Sequence, residues 1–327
     1  MRLLFALTFL LAPLTVQAEC TGQNLITALP PDQLAALQTA ADAAPFARGN
    51  LWHATKADQS ITLVGTFHLD DPRHDATVAR LTAHLQAATT LLVEAGPAEE
   101  AALKAHVAAH PERLINQTGP TLPEALTQAD WLRLAQALRA RGIPPFFAAK
   151  LQPWYVATLL AVPACQFAEG LAMNGLDRRL IAAAEARGLT ITALEPYDTI
   201  FSIFDSFAAP DQLAMLVQSL DAGATGDDMA ITLADSYFAG ESRLFWEFSK
   251  LQLQTLSGLT ASEAASEFAL VDAALVSRRN HAWTPRITAA AANGPLVVAF
   301  GALHLPGEGG VLNLLALQGW TVTPLSP

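Results

Sequence analysis

Two histidines stand just past apolar, β-favouring runs, each three residues after a glycine: His68 in "ITLVGTFHL" and His304 in "PLVVAFGALHL". Two acids hold the same kind of position, Glu94 in "TLLVEAG" and Glu195 in "TITALEPYD". Two imidazoles with one or two carboxylates are a donor set for a divalent ion such as Zn, Mn, Fe or Co. Such an ion acidifies water and polarises a carbonyl, and a spare carboxylate can take up the proton released. A lone strand-end histidine is more often a core residue. The repeated Gly-x-x-His, joined by two strand-end acids, is what raises the set to a candidate site. Nucleophilic catalysis is disfavoured, because the sequence has no Gly-x-Ser-x-Gly elbow and neither cysteine stands beside a catalytic-looking histidine.

For these four residues to meet, their strands must run parallel in one sheet, whose carboxyl ends diverge into a ligand crevice. The pattern supplies such strands. "NLWHAT" and "SITLVGTFH" flank the turn "KADQ" as a hairpin, "DATVARLTAHLQAAT" has helical spacing, and "TLLVEAG" is a short apolar run. Strand, helix and strand in that order predict a right-handed crossover between a parallel pair. Residues from Pro97 to about Gly175 are helical in pattern, a helix from near Asp177 stops at Gly188, and a strand passes through Ile191. A helical block covers Phe201 to Ala292, and the chain returns to the sheet with "PLVVAFGALH" and "WTVTPL". Sheet elements at both ends predict one α/β domain over residues 19–327, with a mixed, partly parallel central sheet flanked by helices and helical insertions.

Other polar residues have plainer roles. Gly65 and Gly301 would let the backbone turn or approach a bound group closely. Asp177 reads as a helix N-cap, and Asp70 and Asp71 as a turn before Pro72. His74, His84, His106, His110 and His281 read as solvated. Extending the apolar stripe Phe268, Val271, Leu275 puts Arg278 or Arg279 on a buried face. A buried guanidinium needs an anion, so Arg279 would bind a substrate carboxylate or a site Glu.

The first eighteen residues carry Arg2, an apolar stretch from Leu3 to Leu14 and the triplet Val16-Gln17-Ala18, which predicts a signal peptide cut after Ala18. The stretch is short against the roughly 20 residues of a bilayer span. No later stretch is apolar enough to span a membrane. Cys20 and Cys165 then form an even pair, a candidate disulfide in an oxidising compartment, with a free buried thiol at Cys165 as the alternative. The expected location is periplasmic or secreted. A net charge of -11 and scattered cations leave no basic footprint, which excludes nucleic acid as a partner.

The segments "LVGTFHLDDP", "LLVEAG", "LQPW", "GLDRRLI", "ALEP", "RRN" and "FGALHLPGEGGVLNLLALQGWTV" together make the chain resemble the TraB/GumN family, which is related to the Tiki metalloproteases. The resemblance implies an α/β domain with a metal site. By position it places the metal ligands on His68, His304 and Glu94, a second acid on Glu195, and an Arg-Asn pair on Arg279 and Asn280. The expected function is an exported, metal-dependent hydrolase of the peptidase or amidase kind, acting on a peptide or other small envelope substrate. The competing expectation is a non-catalytic periplasmic binding protein for haem, a metal or an exopolysaccharide fragment.

Overall fold

The run from Ile61 to Thr66 and the run from Leu296 to Phe300 are buried on both faces, which is why they lack polar alternation. A computed structural model describes residues 20–167, 174–222 and 226–325, and the expected signal peptide lies outside them. Six strands, β1 (Leu51–Lys56), β2 (Gln59–Thr66), β3 (Thr90–Val93), β4 (Thr190–Ala193), β5 (Leu296–Gly301) and β6 (Thr321–Pro324), form one sheet in the order β4-β3-β5-β2-β1-β6. β2, β5, β3 and β4 run parallel to one another, whereas β1 is antiparallel to both β2 and β6. The mixed, partly parallel α/β sheet expected from sequence is therefore the architecture of the protein.

One expectation fails. β2 and β3 do not pair, because β5 lies between them, with Thr66 beside Gly301 and Val93 beside Ala299. The helix His74–Ala87 thus crosses over a strand that is made last but one. The placement has a direct consequence for chemistry. β5 brings its own carboxyl end between those of β2 and β3.

Side chains of β5 alternate between two cores. Leu296, Val298 and Phe300 pack with Trp283, Ile287 and Leu315 from the helices Arg278–Ala291 and Val311–Leu317. Val297 and Ala299 pack on the other face with Leu81, Leu85 and Leu180 from the helices His74–Ala87 and Leu176–Glu185. Fully burying one such aliphatic side chain is worth about 1.5–3 kcal/mol, so both faces hold the strand in register.

The helical block has no strand among its described residues. Its last part is one continuous helical run from Ala261 to Ala291, interrupted by a π-turn at Ala273–Ser277. Among the described residues no single helix is long and apolar enough to cross a bilayer. The segments Thr199–Asp205 and Ala209–Leu220 reach the composition only together, bend by 101° and bury Phe201, Phe204 and Leu216 inside the protein. A disulfide joins Cys20 to Cys165, 145 residues apart in sequence and 5.2 Å apart at Cα.

Candidate functional site

Four parallel strands leave His68, Glu94, Glu195 and His304 at one edge of the sheet, and the helix starting at Arg278 lays Arg279 and Asn280 across them. The convergence point is Gly301. A Cβ built there would lie 3.4 Å from Glu94 Oε1, 3.6 Å from His68 Nε2 and 3.7 Å from His304 Cδ2. The missing side chain at this position is thus the space the three residues share. Gly65 does a different job, since a Cβ on it would press 2.6 Å from Leu305 Cδ1 and 2.9 Å from Ala302 Cα. Its bareness lets the His304 loop pack on β2. The two Gly-x-x-His segments are alike in sequence and unlike in duty.

Each imidazole is held by its Nδ1. His304, 5% exposed, has Nδ1 2.6 Å from Asn280 Oδ1, and Asn280 in turn donates to the carbonyls of His304 and Gly309. His68 has Nδ1 2.8 Å from Asp177 Oδ2, and Thr66 Oγ1 donates to the other oxygen of that carboxylate. With both Nδ1–H groups donating outward, His68 Nε2 is turned toward the shared space, and His304 Nε2 lies beside it, 4.0 Å from Glu94 Oε1. This is how second-shell acceptors orient histidines that ligate metals.

Asp177 was expected as an N-cap, and the structure corrects this. Gly175 is the cap of the helix Leu176–Glu185, which leaves the Asp177 carboxylate free to reach His68. A Cβ on Gly175 would strike the backbone of Phe67 and His68, so only glycine lets the helix start this close to β2. The sequence clue was there: the Gly immediately before Leu176 can cap the helix two residues earlier than the Asp. His74 is a second correction. It is fully buried beside Phe67, Tyr237 and Phe238 rather than solvated.

Arg279 is the hub of the charges. Its Nε and Nη2 donate to Glu195 Oε2 and Oε1 at 2.9 and 2.7 Å, Nη2 also reaches Glu94 Oε2, and Nη1 donates to Leu275 O at 3.0 Å and faces His304 Nε2 at 3.2 Å. The guanidinium lies over Trp283, whose Nε1 donates to Glu195 at 3.2 Å. Glu94 Oε1 accepts from the Gly301 amide at 2.6 Å.

The titration behaviour follows from these contacts. Burial opposes charge on Glu94, but charged His304, Arg279, His68 and the Gly301 amide overcome it and hold the carboxyl at about 2. Burial drives His304 down to about 3, so at neutral pH it is uncharged and Arg279, His68 and Gly301 keep Glu94 ionised. Desolvation also opposes charge on His68, yet Asp177, through its charge and its hydrogen bond, and Glu94 raise it to about 9. Burial pushes Glu195 up from its ordinary value, with Arg279 pulling the other way.

A pocket of about 460 Å³ opens above these groups, and His68, Glu94, Arg279, Gly301 and His304 line it. Asp177, Asn280 and Glu195 stand behind the lining and hold the groups that touch it. His68 is half exposed at the mouth.

Over residues 50–324 the sequence matches the TraB/PrgY/gumN family. The chain belongs to that family. Among other TraB/PrgY/gumN proteins it is similar to YbaP of Escherichia coli strain K12, an uncharacterised protein, with 26% identity over 256 residues that cover 77% of this chain and 86% of YbaP. YbaP of Shigella flexneri matches with the same identity and coverage.

Does the donor set of this TraB/PrgY/gumN member fit a divalent ion? Two Nδ1-anchored imidazoles and a carboxylate held ionised fit by chemistry once His68, a cation at neutral pH by its raised value, gives up its Nε2 proton to the incoming ion. Among the described residues, the trio of donor atoms already within 4.8 Å of one another is instead Cys20, Cys165 and Asp227, where both sulfurs are spent in the disulfide. At the sheet edge Arg279 stands against His304 Nε2, so that hydrogen bond must open for His304 to ligate.

Proposed function

We propose that this protein is a metal-dependent hydrolase of peptide or amide bonds. The observation that carries the reading is the pair of Nδ1-anchored imidazoles beside Glu94 at Gly301, with His68 Nε2 facing the shared space and His304 Nε2 4.0 Å from Glu94 Oε1. His68, His304 and Glu94 would hold a divalent ion, with Zn, Mn, Fe and Co as candidates. When bound, the ion supplies Lewis-acid polarisation and acidifies water. Glu94, the carboxylate lining the pocket, would serve as a ligand or as the base that takes the proton of the attacking water. Arg279, lining the same pocket, stabilises the oxyanion that forms. Glu195 fixes the Arg279 fork, and Asn280 and Asp177 fix the two rings. The Cys20–Cys165 bond supports a periplasmic or secreted location, because such bonds persist in oxidising compartments.

Metal analysis of the purified chain beside its His68→Ala and His304→Ala variants tests the reading, together with turnover of a peptide library before and after chelation. Metal content and turnover are expected to fall together in both variants, and chelation to abolish cleavage until metal is restored. Undiminished turnover in either variant refutes the assignment. One observation favours a binding protein without turnover, namely that Arg279 covers His304 Nε2. Metal or haem binding with no cleavage of any library member decides for that reading.

A further inference from the structure

The floor of the pocket is polar and ionised, but its walls are not. Above His68, Glu94, Arg279 and His304 rise Val162, Leu233, Phe245, Trp246, Leu275 and Val276, and among the described residues no lining side chain above the floor is a carboxylate, an amine, a guanidinium or an imidazole. Two of the wall hydroxyls are already committed, Tyr237 to the Gly65 carbonyl at 3.0 Å and Thr158 to the Tyr155 carbonyl at 2.7 Å. A charged or sugar-like group entering this space would lose water without gaining partners, whereas an apolar group would gain by leaving water. The volume of about 460 Å³ falls within the range of about 300–1,000 Å³ typical of small-ligand sites, enough for a short segment and not for a folded domain.

We infer that the helical block builds a specificity chamber, which takes a bulky, uncharged apolar side chain of a peptide lying next to the bond over the floor. The inference rests on the hydrolase reading for the position of that bond, and on the walls alone for the side chain. It gives the block from Leu233 to Val276 a function: it selects. Residue size is gated at Ala161, the last residue of the helix Pro153–Ala161, which lines the pocket and is exposed at its lip.

The test uses the mature full-length chain, treated with chelator, and calorimetry with five oligoalanine hexapeptide amides carrying Phe, Leu, Ala, Glu or Lys at one internal position. Phe and Leu are expected to bind at least about tenfold more tightly than Ala, and Glu and Lys more weakly than Ala. In Ala161→Phe the advantage of Phe over Ala is expected to drop about tenfold, while the circular-dichroism spectrum and melting temperature stay at the wild-type values. A wild-type melting temperature shows the variant to be folded, and an undiminished advantage of Phe in the folded variant also overturns the inference. Equal binding of Phe, Leu and Ala, a preference for Glu or Lys, or no binding of the Phe peptide up to millimolar concentration overturns the inference. Turnover separates the two readings. Selective binding with no cleavage under any of the four ions removes the hydrolase and leaves the chamber, while cleavage indifferent to the side chain removes the chamber and leaves the hydrolase.

Discussion

Asp177 holds His68 by a carboxylate at 2.8 Å, and the raised value of about 9 depends chiefly on that carboxylate working against desolvation. Asp177→Asn keeps the shape and removes the charge. In the metal-free protein the variant should bring the His68 midpoint down toward the ordinary 6.5 or so, read by histidine NMR titration. Metal affinity should fall about 10–100-fold, the usual loss for a second-shell partner. A midpoint still near 9 would remove Asp177 as the cause. His74 sets a dependence of opposite sign. Burial lowers its pKa against the pull of the Leu69 carbonyl, which its Nε2 faces at 3.0 Å, and its Nδ1 has no hydrogen-bond partner among the described residues. A depressed histidine binds fewer protons folded than unfolded, so its contribution is complete above about pH 6.5 and is lost as the pH falls below that. His74→Phe should therefore flatten the decline of unfolding free energy between about pH 7.5 and 5, as measured by denaturant titration. At this scale the sequence was partly legible. His68, Glu94, Glu195 and His304 announce themselves by ending apolar runs with groups that do not belong there. Asp177 does not, because its partner is 109 residues away and an acid in a first helical turn has an ordinary explanation.

Among the elements, the start of the helix Leu176–Glu185 is the most sensitive joint. Leu176 N donates to Phe67 O at 2.9 Å, and Gly175 leaves no room for a side chain between the helix and the His68 backbone. Gly175→Ala should push the two apart, destabilise the protein by about 1–3 kcal/mol and weaken metal binding as well, checked by denaturant titration and calorimetry. Stability and metal affinity both at wild-type level would show that the joint is looser than described. The π-turn at Ala273–Ser277 is a second device of this kind. It inserts a wider turn just before Arg279, and the Leu275 carbonyl it contains accepts from Arg279 Nη1. Such bulges recur at functional sites because they re-aim the residues that follow. The elements themselves were legible from period and punctuation, and the apolar stripe that put Arg278 or Arg279 on a buried face ran through this turn. The neighbours of each strand were not legible. β3 and β5 are equally apolar and covered on both faces, and such runs carry no mark of which edge they join.

For the whole molecule, the bond between Cys20 and Cys165 closes a loop of most of the amino-terminal half. Reducing it should lower stability by about 2–5 kcal/mol, since the unfolded chain regains the entropy of an open loop of that size. Denaturant titration with and without reductant measures the difference, and superimposable curves would show that the bond adds nothing. The composition already announced a large core, and the parallel edge was expected to gather the four strand-end residues. What no count of residues conveys is the order in which the site comes into being. β5, near the carboxyl terminus, is wedged between two strands from the first third of the chain. Until Gly301 and His304 have left the ribosome, β2 and β3 have no common neighbour and the floor of the pocket lacks a side. A nascent or truncated chain that stops short of β5 therefore lacks one side of this floor, however well its first two parallel strands have formed.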